Sequence, residues 1–129
     1  MKKVCAITLL FAALLCLGSC GEYTSHYKAV AFVHSNEPDS AFMNFYEFEG
    51  TMVFKLRNKD GKALKYTAAL EGGDAEISCD CGEGETVLCA VKAGDEFNSE
   101  TALLPAGTLY IIVETAGKCR NGKFEFSLK

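Results

Sequence analysis

The chain has no tryptophan, two prolines and two histidines in 129 residues, and each scarcity removes a class of reading. Without tryptophan, any aromatic recognition surface has to be built from its nine phenylalanines and five tyrosines. His26 and His34 are too few for a histidine-rich metal set, and neither stands in a triad context with a serine, so both read as surface residues. No Cys-x-x-Cys precedes a helical pattern whose N-terminus would stabilise a thiolate, which argues against a redox catalyst. Positive charge is also short, with 13 basic residues against 17 acidic ones. The group Lys55, Arg57, Lys59, Lys62 and Lys65 is scattered over strand edges and a turn, so the basic face that a nucleic acid needs is missing.

What is present begins at the N-terminus. Lys2-Lys3 precede an apolar run from Val4 to Leu17, interrupted only by Thr8, and Leu17-Gly18-Ser19-Cys20 follow. About 14 residues reach only about 21 Å as a helix, short of a bilayer core, and a basic flank with small residues at the end reads as a cleaved export signal. Leu17 to Cys20 resembles the lipobox of bacterial lipoproteins. That resemblance implies cleavage after Ser19, acylation of the Cys20 thiol, and a lipid bilayer as the first partner. The division expected is signal peptide over 1–19, lipidated tether over 20–26 and a single domain over 27–129. Removal of the signal takes Lys2 and Lys3, so 11 of the 13 basic residues remain against 17 acidic ones and the net charge falls from −4 to −6. An acidic body is repelled by anionic head groups, which leaves the acyl chains to hold it to a cell membrane or outer membrane, on the extracytoplasmic side.

Beyond the tether the pattern is period two. Phe124, Phe126 and Leu128 alternate with charged or polar residues, as do Met52, Phe54 and Leu56, and Tyr66, Ala68 and Leu70. Asn58-Lys59-Asp60-Gly61-Lys62 lies between the last two sets and suits a tight turn, so 51–71 reads as a hairpin. Further strands are expected at 27–34, 42–48, 75–81, 86–92 and 107–115, and Leu109-Tyr110-Ile111-Ile112-Val113 is apolar on both faces, as a central strand is. Only 95–104 offers a short helix any competition. The fold class is therefore all-β: a single antiparallel β-sandwich, jelly-roll-like, of about eight strands after the signal helix.

The run Leu104-Pro105-Ala106-Gly107-Thr108-Leu109-Tyr110, with Gly117, Gly122 and Phe124-Glu125-Phe126 after it, resembles the closing hairpin of bacterial pre-peptidase C-terminal domains. The resemblance implies a jelly-roll-like sandwich without catalysis of its own. It carries over no binding residue, and calcium-binding acidic positions of some relatives have no match here.

Four cysteines belong to the mature domain: Cys79, Cys81, Cys89 and Cys119. An even number in an exported domain suggests two disulfides, with free buried thiols as the alternative. Cys79 and Cys81 emerge on one strand face about 6.5 Å apart, awkward for a mutual bridge. Cys79 with Cys89 and Cys81 with Cys119 is the favoured pairing, because a hairpin turning at Gly82–Glu85 brings the first two near opposition; the swapped pairing stays open. A tetrathiolate metal site wants Cys-x2-Cys knuckles, so no metal or other cofactor is expected.

Glu47 with Glu49 and Glu83 with Glu85 are carboxylate pairs at a spacing ordinary for solvated strands and loops, which gives no support to a glycosidase. The acidic run Asp74, Glu76, Asp80, Glu83 and Glu85 reads as a solvated edge before a calcium site. The cluster Phe42, Phe45, Tyr46 and Phe48 is more informative. Strict alternation puts Phe42, Tyr46 and Phe48 on one face and Met43 and Phe45 on the other, so one face is core and the other is either covered by a loop or an exposed aromatic platform. These four residues are the candidate ligand contacts. The function expected is a non-catalytic binding or structural module with a protein or glycan partner. The alternatives are an inhibitor or accessory subunit of a secreted enzyme and, from another class, a small hydrolase.

Overall fold

The structure, a computed structural model, describes residues 23–129. The signal, the lipobox and Cys20 lie outside the described residues. Nine antiparallel strands run in chain order: β1 (His26–Val30), β2 (Val33–Glu37), β3 (Ser40–Asn58), β4 (Ala63–Gly72), β5 (Asp74–Asp80), β6 (Glu85–Lys92), β7 (Glu96–Leu103), β8 (Gly107–Thr115) and β9 (Cys119–Leu128). The all-β class stands. The count is nine because 27–34 is two strands, broken where Ala31 turns with φ +52°, and β7 is added, while 42–48 and the first arm of the expected hairpin are one strand, β3. The stretch 95–104 is strand β7 and not a helix: Phe97 faces inward from an edge strand that pairs with β4.

The architecture follows from one long strand. The first half of β3 pairs with β9 from Ser40↔Ser127 to Phe48↔Cys119, and its second half pairs with β8 from Thr51↔Glu114 to Asn58↔Gly107. From there the sheet divides. One layer continues β3-β9-β4-β7 and the other β3-β8-β5-β6. The layers face each other across a core in which Phe54 of the second half of β3 meets Phe126 of β9, ring centres 5.8 Å apart. Leu56, Ile77, Ile111 and Val113 close the core from one side, and Met43, Leu64, Leu70 and Phe124 from the other.

This topology overturns the hairpin expected at 51–71. β3 and β4 do not pair with each other; Asn58–Lys62 is an arch that carries the chain from one layer to the other. Buried Asn58 fixes the arch by donating to Lys62 O at 3.0 Å and accepting from Lys62 N at 2.8 Å. β8 and β9 likewise form no hairpin but take successive halves of β3.

The bend in β3 centres on Gly50, whose φ is +132° and whose missing Cβ leaves room for the backbone of His26 and Tyr27. Thr115 Oγ1 accepts from Gly50 N at 2.9 Å and holds the bend to the end of β8. Beyond it, alternate amides along one edge of β3 are taken in turn: Val53 N–H by Ser25 Oγ, Lys55 N–H by Asn36 Oδ1 and Arg57 N–H by Pro38 O. A long edge is thus covered by the β1–β2 segment, which blunts its tendency to pair with other chains. On the opposite side the turn after β6 binds Leu70 through its backbone.

Candidate functional site

On the layer β2-β3-β9-β4-β7 the inward positions are apolar and the outward ones polar. Leu64, Tyr66, Ala68 and Leu70 point in while Lys65 and Thr67 point out; Phe124, Phe126 and Leu128 point in while Lys123, Glu125 and Ser127 point out. The register lines these outward residues into rows across five strands. The central row runs Ser35, Phe42, Glu125, Thr67, Asn98. The next row runs Glu37, Ser40, Ser127, Lys65, Glu100. A trough of about 580 Å³ lies over both, lined by Phe42 with Ser35, Ser40, Thr67 and Ser127 and by the charged groups Glu37, Glu125, Lys65 and Lys129. It runs on into a second hollow of about 290 Å³ that shares Thr67, Asn98 and Glu125.

Phe42 breaks the pattern of this face. It is a half-buried aromatic ring at an outward position, with Ser35 and Glu125 opposite it and Ser40 and Asn44 two residues away along its own strand. The charges around it balance, two carboxylates against two amines. Lys123 approaches Glu125 at 3.9 Å on the exposed surface, a weak pairing that leaves the carboxylate open to solvent.

The four aromatic candidates do not act together. Phe45 is 6% exposed and Phe48 is fully buried, and the two rings pack 5.3 Å apart in the core. Tyr46 is half exposed on the outside, and Phe42 alone reaches the trough. The assignment of faces by strict alternation fails because the buried positions change from Ala41, Met43 and Phe45 to Phe48, Met52 and Phe54 within one strand. The partner strand changes with it: Cys119 is buried at one end and Gly122, Phe124 and Phe126 at the other, with Asn121 between them at φ +45°. The ring of Phe45 lies over Gly122, occupying the place of a Cβ.

Among the described residues the four cysteines are unbonded, and neither expected pairing is formed. Cys119 Sγ sits 3.2 Å from Asp74 O at the start of β5, whereas Cys81 follows the end of that strand. Seven strand residues separate them by about 23 Å, against the few ångströms a disulfide spans. Cys79 is opposite Thr86 and Cys89 opposite Ile77, so Cys79 and Cys89 are diagonal neighbours about 7–8 Å apart. In the swapped pairing Cys79 and Cys119 stand about 16 Å apart, and Cys81 lies farther along the hairpin from Cys89 than Cys79 does. Burial pushes the Cys79 thiol up to about 11, helped by Cys81 and Asp80, and raises the Cys89 and Cys119 thiols as well.

Asp80, in the acidic run, is a structural acceptor. Its carboxylate takes the Tyr23 hydroxyl at 2.6 Å and the amides of Gly82 at 2.8 Å and Gly84 at 3.2 Å. These donors, the tyrosine first, hold it below the usual carboxylate range, while the same bond pushes the Tyr23 hydroxyl up to about 12. Tyr23, within the expected tether, also rests 5.1 Å from the Tyr110 ring of β8. Among the described residues no three His, Cys, Asp or Glu side chains converge as metal ligands, and no helix is long and apolar enough to cross a membrane.

No family model matches the chain, and no curated protein matches it. Solved structures resemble its chain path at low identity. A periplasmic inhibitor of g-type lysozyme from Aeromonas hydrophila, PliG, is 14% identical over 71% of this chain and 88% of its own, with a TM-score of 0.49. TmCBM61, solved with β-1,4-galactotriose, is 16% identical over 82% of this chain and 85% of its own, with a TM-score of 0.47. A cupin-2 domain protein from Shewanella frigidimarina covers 92% of both chains at 11% identity and a TM-score of 0.36. These are likenesses of chain path and assign no residue a role.

The trough itself was not singled out by the sequence. Its signal was there in the outward members of each alternating strand, Lys65, Thr67, Glu125 and Ser127, but which strands lie side by side is a property of the topology.

Proposed function

We propose that this is an extracytoplasmic, lipid-anchored, non-catalytic binding module whose ligand lies in the trough over β2, β3, β9, β4 and β7. One observation carries the reading: Phe42 stands second in an otherwise hydrophilic outer row of five, where an aromatic ring gains nothing for the core and offers a flat apolar surface to a ligand. The site is a trough on an exposed sheet face, with Glu37 and Glu125 on its walls, and an open sheet face suits recognition better than the water-excluding chemistry of a hydrolase. Anchoring rests on the lipobox at Leu17-Gly18-Ser19-Cys20.

Two experiments test this. Metabolic labelling with a palmitate analogue should mark the wild-type chain and not Cys20→Ser, which should also leave the membrane fraction; equal labelling of both removes the anchor. Full-length protein in mild detergent, mixed with separated protein and polysaccharide fractions of a cell envelope, should retain a component that Phe42→Ala loses and Tyr46→Ala keeps. Retention indifferent to Phe42 would place the ligand elsewhere, in keeping with an inhibitor or accessory subunit that works through another surface.

A further inference from the structure

The chemistry of the trough points to its ligand, and this step rests on the binding-module reading above. We infer that the trough binds an internal stretch of a neutral polysaccharide, laid across the strands with one sugar ring against Phe42. Sugar hydroxyls both donate and accept, and the lining offers both kinds of partner in close alternation: Ser40, Ser127, Thr67 and Asn98 with Lys65 as donor and Glu125 as acceptor. A protein interface is organised differently, around several desolvated apolar anchors with charge excluded from its centre. Here a single ring is bordered at once by a carboxylate and by hydroxyls. Glu37 and Glu125 offset Lys65 and Lys129, and Glu100 at the end of the second row adds a further carboxylate, so there is no positive field to hold a polyanion.

Length and openness set the mode of binding. Four steps between neighbouring strands put Ser35 and Asn98 about 19 Å apart along the central row, and a sugar ring about as wide as one step makes this a site for about four rings. No further strand closes the row: Ser35 and Asn98 lie on β2 and β7, the outermost strands of this layer, so a chain passes through and need not present an end.

The test is native electrophoresis of the full-length chain in non-ionic detergent through gels holding β-1,4-galactan, β-1,4-mannan, mixed-linkage β-glucan or polygalacturonate. Calorimetry then uses oligomers, from dimer to hexamer, of whichever polymer retards the protein. Retardation by a neutral polymer is expected, with affinity climbing to about the tetramer and flat beyond it. Phe42→Ala should weaken binding about tenfold or more, a loss of one stacked ring, with an unchanged melting temperature; Glu125→Gln and Lys65→Ala should weaken it with the ring intact, and Tyr46→Ala should not. Preference for polygalacturonate, or retardation by none of the four, overturns the inference. If none retards the protein and a protein partner is captured in a Phe42-dependent way, the binding module survives and the polysaccharide does not. If neither is bound, both fall.

Discussion

Asp80 and Tyr23 form a pair whose two halves titrate at opposite ends of the pH scale. The Asp80 carboxyl is lowered in the folded chain, so the stability it contributes is complete above its unfolded value near pH 4 and is lost as the pH falls through the folded one. The Tyr23 hydroxyl is raised to about 12, so its contribution is complete below its unfolded value near 10 and disappears as the pH climbs towards 12. Urea midpoints measured across pH should therefore fall on both the acid and the alkaline side, and Tyr23→Phe should flatten the alkaline limb and shrink the acid one. An unaltered profile would mean that Tyr23 does not hold Asp80 in solution. The thiols give a separate check at this scale. Buried Cys79 and Cys119 should react with a maleimide far more slowly than Cys81 and Cys89, and all four should react in urea without a reductant. Fewer than four would restore a disulfide.

Two glycines decide whether β3 and β9 can do what the topology asks of them. A Cβ at Gly50 collides with the backbone of His26 and Tyr27 and also meets a φ of +132° that other residues avoid, so Gly50→Ala has no flexible neighbour to push aside. We expect a loss of about 3 kcal/mol or more in urea unfolding. At Gly122 the obstacle is the ring of Phe45, and Phe45→Leu should recover part of what Gly122→Ala loses, whereas it cannot help Gly50→Ala. Asn58→Leu leaves the Lys62 amide and carbonyl without their partners and should cost about 2 kcal/mol. The alternation within each strand was legible because Leu64 to Leu70 and Phe124 to Leu128 each have one buried face. The switch of faces in β3 was not: nothing local to Phe45-Tyr46-Glu47-Phe48 says that the buried side changes there, where β9 passes through Asn121 at φ +45°. The arch at Asn58–Lys62 was misread for a related reason. Asp60-Gly61 suits a reversal of direction, but whether the reversed chain pairs with the strand it left or crosses to the other layer depends on which strand has already taken that edge, here β8.

At the scale of the whole molecule the two outer faces are unlike. The β3-β9-β4-β7 layer carries the trough, and the β3-β8-β5-β6 layer carries the N-terminal segment, pinned by Tyr23 to Asp80 and Tyr110 and by Ser25 to Val53. Cys20 precedes Tyr23 by three residues, a reach of about 10 Å at full extension. On the proposed anchoring, a lipid on Cys20 would hold the back layer towards the bilayer and leave the trough facing away from it. Alternation made the all-β class legible; this two-sided arrangement was beyond it, because it depends on how a nineteen-residue strand divides its neighbours between two layers. The consequence is measurable. Protein reconstituted on vesicles through Cys20 should bind the same component, with the same affinity within about twofold, as protein in detergent, since no part of the trough is shadowed by lipid. Tyr23→Phe combined with Ser25→Ala should loosen the segment, and cross-linking from a probe placed at Thr67 to head groups should then rise from background. Strong cross-linking from Thr67 in the wild-type protein, or binding abolished by reconstitution, would show that the trough and not the back layer lies against the membrane.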